Sequence, residues 1–126
     1  MKKRIIKFRA WDAKRKVMIL SVGFTDSDCG RYWRREEFMV DDRSDFVSQD
    51  WIPMQFTGLF DKNGKEIYEA DIIQFEGTTE YGYGEIIFDN GMYWIQEKDS
   101  LLRVDMVCIE TCKVIGNIFE NSELLS

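Results

Sequence analysis

The chain has 126 residues, with 17 Lys and Arg against 23 Asp and Glu, a formal charge of −6, no His and one Pro. That length suits one core, and 44% hydrophobic with 14% aromatic residues lies far from a disordered composition. The absence of His removes Ser-His-Asp and Cys-His nucleophile pairs, the common histidine metal sites and a histidine pH switch.

Strand signals dominate in chain order. Residues 4–11 alternate, with Ile6, Phe8 and Ala10 on one face and Ile5, Lys7, Arg9 and Trp11 on the other. Residues 12–16 read as a polar turn and residues 17–22 as the returning strand of a hairpin. Residues 25–50 are polar with scattered aromatics and read as an irregular or mobile insertion, with weak support for Tyr32, Arg35 and Glu36 on one helical face. Residues 51–58 read as extended, with Pro53 favouring an edge or an irregular strand. The Asp61-Lys62-Asn63-Gly64-Lys65 run is a turn in which Asn-Gly supplies positive-φ residues. It is no calcium loop, because its glycine falls too early and Ile72 stands where the twelfth-position glutamate belongs.

A short apolar strand follows at residues 72–75, then a Gly- and Tyr-rich loop over residues 77–84. Residues 85–88 and 92–95 flank Asp89-Asn90-Gly91, the clearest β-hairpin signal in the chain. Residues 101–110 and 113–118 supply further strand material, and Asn121 is placed to cap a last turn through Leu125. Short strands, tight turns and no long amphipathic helix predict a mainly β fold. The expected form is a small, partly open β-barrel over about residues 51–120, with an N-terminal β-hairpin and a short C-terminal helical turn, in one domain spanning 1–126.

Three cysteines, Cys29, Cys108 and Cys112, are an odd number and argue for buried free thiols over a disulfide framework. No metal or cofactor is expected, since a tetrahedral zinc site on Cys108 and Cys112, with no His and one other Cys far away, would need carboxylates to complete it. The basic N-terminus has no long apolar run behind it, and no stretch approaches the ~20 apolar residues of a membrane span. A cytoplasmic location and no membrane partner are therefore expected. Charge is unevenly placed. Residues 1–16 hold eight bases and one acid, a net +7, and the rest hold nine bases and 22 acids, a net −13. Such asymmetry serves either a basic hairpin packed beside an acidic body or an arm that seeks an acidic partner.

Three stretches, taken together, point to a family. They are Ile6-Lys7-Phe8-Arg9-Ala10-Trp11-Asp12, the long block from Met54 through Gly58, Asp61, Gly64 and Tyr68 to Ile73, and Val114-Ile115-Gly116-Asn117-Ile118-Phe119-Glu120-Asn121 followed by Leu124-Leu125. In this order and over this length they resemble the YopX-like family of phage and prophage proteins. The chain departs from the family pattern at Ala70, where the family commonly has Gly, and at Ser122, where it commonly has Pro. The Ala implies that the turn before Asp71 needs no positive φ here. The resemblance implies a phage- or prophage-encoded, intracellular, mostly β protein. It implies no activity and supplies no catalytic residues.

The carboxylates carry no evident chemistry. Asp26-Ser27-Asp28 and Asp41-Asp42 read as solvated loop acids rather than Mg²⁺ ligands, and the glycines of residues 80–85 lack the Gly-Lys-Ser/Thr of a phosphate loop. No catalytic residues and no enzyme activity are expected. The leading expectation is an interaction module that binds a host or phage protein and self-associates as a homo-oligomer, through Tyr32, Trp33, Arg34, Arg35, Tyr81 and Tyr83, residue types favoured at contact hot spots. The alternative is single-stranded or duplex nucleic-acid binding through Lys7, Arg9, Trp11, Arg31, Arg34 and Arg35, which combine phosphate-seeking charge with stacking surfaces.

Overall fold

A computed structural model describes residues 5–27, 30–35, 51–75, 82–98 and 103–125, with the backbone alone described for residues 24–27, 30–35 and 108. It divides into two compact units, Met1–Gln55 and Phe56–Ser126. Unit 1 holds β1 (Phe8–Asp12), β2 (Val17–Ser27), β3 (Gly30–Arg35) and the first half of β4 (Trp51–Phe60). Unit 2 holds the second half of β4, then β5 (Glu66–Tyr68), β6 (Asp71–Phe75), β7 (Tyr83–Asp89), β8 (Met92–Glu97), β9 (Arg103–Val104) and β10 (Cys112–Asn117). Two 3-10 helices, Met106–Thr111 and Ser122–Leu125, are the only helices among the described residues. The fold is mainly β and every described strand pair is antiparallel. The sheets are partly curled and do not close into a barrel.

In unit 1 the strands run in the order β3–β2–β1–β4. The first hairpin forms where the alternation predicts it, but β1 starts at Phe8 and β2 runs on to Ser27. Asp12 builds the reversal: its Oδ1 accepts the N–H groups of Lys14 and Arg15 at 3.0 Å each, and its carbonyl accepts that of Lys16 at 2.7 Å. The ladder slips once, with Leu20 and Ser21 opposing Arg9, and Ser21 takes φ 59° at this bulge. Ala10, Ile19, Val22 and Trp51 form the core, with Phe8 packed against it. The stretch containing Tyr32 and Arg35 is strand β3 rather than a helical face: cross-strand pairing with β2, from Val22–Arg35 to Ser27–Gly30, overrides a weak local helical pattern. Residues 36–50, including Asp41 and Asp42, and Asp28 and Cys29 lie outside the described residues.

In unit 2 one sheet runs β10–β6–β7–β8–β9. Its core is Ile67, Ile73, Ile86, Ile95, Ile109, Cys112 and Val114, each at most 8% exposed. The Asp89-Asn90-Gly91 hairpin is confirmed, with φ 51° at Asn90 and 79° at Gly91, the two positive values a primed turn needs. Of the stretch read as strand over residues 101–110, the described residues 103–110 are not mainly strand. After two residues of β9 they turn into the 3-10 helix Met106–Thr111, started by Asp105, whose Oδ1 accepts the Val107 N–H at 3.1 Å. A side chain that bonds forward onto the backbone competes with the ladder, which ends the strand. The last turn through Leu125 forms directly after Asn121, whose carbonyl accepts the Leu124 N–H at 3.0 Å, but the Asn121 side chain bonds backward. Its Oδ1 accepts the Asn117 N–H at 3.2 Å, reaching back across Gly116, where any Cβ would collide with the Asn121 carboxamide.

The turn before Asp71 requires a correction. Ala70 has φ 71°, so the left-handed conformation is used even though the residue is not glycine. It is held there from three sides. Its N–H donates to the Ile86 carbonyl at 2.8 Å, its carbonyl accepts the Ile118 N–H at 3.0 Å, and Asp71 Oδ2 accepts the Tyr68 N–H across the turn at 2.8 Å. Surroundings that over-determine a backbone can hold it against its local preference.

Candidate functional site

The longest sequence block folds into scaffold. Asp61, 6% exposed, points its carboxylate back into its own turn and across to the edge strand. Oδ1 accepts the N–H groups of Asn63 at 2.8 Å and Lys65 at 2.9 Å, and Oδ2 accepts that of Val114 on β10 at 2.9 Å. The Lys62 N–H donates to the Cys112 carbonyl at 3.0 Å. The turn thus satisfies outward-facing groups of edge strand β10, which an open sheet otherwise leaves for pairing with another chain. Burial pushes the Asp61 pKa up, but the bonds from Val114, Lys65 and Asn63 and the Lys65 charge together hold it below its ordinary value. In the C-terminal block, Asn117 Oδ1 accepts the N–H groups of Phe119 at 3.0 Å and Glu120 at 2.9 Å.

The same scaffold leaves an apolar surface open. Thr57, 8% exposed, donates its hydroxyl to the Ile67 carbonyl at 2.8 Å and accepts the Leu59 N–H at 3.2 Å. The β4–β5 ladder slips between Phe56 and Phe60, and Gly58 at φ 86° makes the bend. Leu59 and Phe60 are left 38% and 47% exposed. Leu59, Met92, Tyr93, Asp105, Met106 and Val107 line a shallow groove of about 450 Å³. Val107 is 86% exposed and Met92 50%. A second cleft of about 350 Å³ shares Leu59 and is lined by Gly58, Phe60, Asp61, Lys62, Ile109 and Glu110.

The groove offers thioether, aliphatic and aromatic surface, with Asp105 the one charged lining residue among the described residues. Asp61 and Asp105 both accept backbone N–H groups. No cluster of three or more His, Cys, Asp or Glu side chains is present among the described residues. Glu85, half-buried on β7, has its pKa raised by burial and lies in register between Ile72 and Gln96, outside either groove.

Tyr83, the one residue singled out from sequence whose side chain is described in unit 2, is not among the groove's described lining residues. Arg31, Tyr32, Trp33, Arg34 and Arg35 lie on β3, paired in register with Asp26, Thr25, Phe24, Gly23 and Val22. Tyr81 lies outside the described residues, and Tyr83 opens β7 in unit 2, half-buried and opposite Gln74. In unit 1, Lys7 precedes β1, Trp11 is half-buried between Met18 and Ile52, and Arg9 is only 8% exposed. Arg9 is therefore not presented to a phosphate backbone. The groove residues Leu59, Met92, Met106 and Val107 went unread. The available signal was Asp105 ahead of an apolar run, a helix-start pattern.

The YopX protein family model matches residues 7–126. The chain belongs to the YopX protein family. Two solved structures are similar to this YopX domain. Protein EF1440 from Enterococcus faecalis has a TM-score of 0.65 at 27% identity, covering 98% of this chain and 100% of its own. Protein yopX from Bacillus subtilis has a TM-score of 0.62 at 18% identity, covering 95% and 98%. None of the curated proteins matches the chain. In this YopX domain these blocks supply turn-forming and edge-capping side chains. No helix of the described residues is long and apolar enough to cross a membrane.

Proposed function

We propose that this YopX domain is a non-enzymatic interaction module, encoded by a phage or prophage and acting in the bacterial cytoplasm, that binds a host or phage protein. The observation that carries this reading is the unit 2 groove. Leu59, Met92 and Val107 expose apolar surface beside one another, rimmed by Asp105. A partner segment with apolar side chains flanked by bases matches it in polarity and charge. The phage or prophage origin rests on the family resemblance.

The test is capture from the bacterial cells that produce the protein, followed by titration of the purified partner in a calorimeter. Val107→Glu and Met92→Glu are expected to weaken binding at least tenfold, while Leu20→Glu, at a position 65% exposed in unit 1, leaves it unchanged. A partner whose affinity ignores both groove substitutions refutes the reading. Nucleic-acid binding is the lesser alternative. It requires binding of labelled DNA or RNA that weakens steeply with salt and falls with Arg34→Ala and Arg35→Ala, and the burial of Arg9 weighs against it.

A further inference from the structure

We infer that the groove of unit 2 receives the N-terminal segment of a second copy of this chain, so that the domain self-associates head to tail. This deepens the interaction reading and rests on it. The groove and the segment match in two independent ways. The first is apolar surface. Ile5 and Ile6 lie just ahead of β1, outside any strand, and are 61% and 63% exposed. Single exposed aliphatics are common, but two adjacent ones ahead of the first strand form a ready anchor. The groove provides the complementary apolar wall in Leu59, Met92 and Val107.

The second match is charge. Ile5 and Ile6 are flanked in sequence by Lys2, Lys3, Arg4 and Lys7. The groove carries Asp105, and the described lining of the cleft that shares Leu59 adds Asp61, Glu110 and Lys62. Residues 1–16 carry eight bases and one acid, a net +7, while the remainder carries nine bases and 22 acids, a net −13. Opposite charge on the segment and on the rest of the chain steers copies together. Because segment and groove are different surfaces, the contact is heterologous and propagates into a ring or an open chain.

Sedimentation and light scattering on the full chain test this. At roughly 0.5 mM, where a weak small interface is populated, the average mass rises above one copy, and raising salt from 50 to 200 mM weakens association severalfold. Ile5→Glu/Ile6→Glu and Val107→Glu each return the protein to monomers with unchanged circular dichroism. Mixed in equal amounts, these two variants form a dimer and nothing larger, because one intact segment and one intact groove remain. A wild type that stays monomeric, or a mixture that does, overturns the inference. If Val107→Glu still abolishes binding of a captured partner in that case, the interaction reading survives without it. If that binding persists, both fall.

Discussion

Replacing Asp61 by Ala tests whether the longest family block is scaffold. The carboxylate accepts three main-chain N–H groups. Asn63 and Lys65 lie in an exposed turn, so their N–H groups regain water and each lost bond costs about 1 kcal/mol. Val114 is 8% exposed, and its N–H is left without an acceptor inside the protein, which costs about 2 kcal/mol. The expected loss is about 4 kcal/mol, large for one substitution. Asp61→Asn keeps an acceptor for Asn63 and Lys65 but turns an amide N–H toward the Val114 N–H, so about half that loss is expected. Guanidinium denaturation at pH 7 gives the stability, and amide exchange at Val114 reports the local opening. The pH dependence has a definite sign. A carboxyl whose native pKa is lowered contributes stability fully present above the unfolded value of about 4 and lost as pH falls through the native value. Asp61→Asn therefore flattens the acid limb of the stability curve. A loss below about 1 kcal/mol for Asp61→Ala, or an acid limb that Asp61→Asn leaves unchanged, refutes the reasoning.

Ala70→Gly is expected to stabilise the protein by about 0.5–1 kcal/mol, because relief of the left-handed backbone outweighs the added freedom of the unfolded chain. Thermal or denaturant unfolding checks this, and a loss of stability contradicts it. Arg103→Ala is expected to raise the Asp89 pKa toward its ordinary value. The Arg103 guanidinium, 2.6 Å from Asp89 Oδ2, is the main cause holding that carboxyl low, through its hydrogen bond and its charge. Carbon-13 NMR titration of Asp89 reads the shift, and an unchanged midpoint removes Arg103 as the cause.

Local signals carried most of the unit 2 scaffold. The turn around Asn90 and Gly91, the reversal at Asp61-Lys65 and the alternating apolar runs of β7 and β8 are each written in adjacent residues, because φ preference and period-2 patterning act over a few residues. The groove was not legible in the same way. It joins Leu59, Met92 and Val107 from three distant segments, and Val107 lies in a 3-10 helix begun by Asp105 where the residues read as strand. Tyr32 and Trp33 stood out by residue type, yet residue type alone does not place a side chain in a surface.

By itself the sequence determined a mainly β chain, its principal hairpin turns, its family and its charge asymmetry, all properties of composition and near neighbours. The tertiary structure decided that Ala70 takes a glycine-like conformation, that Asp61 closes a sheet edge 53 residues away along the chain, and that apolar side chains meet at an open groove. These depend on hydrogen bonds and contacts between distant segments, whose combined energy overrides the preference of any single residue.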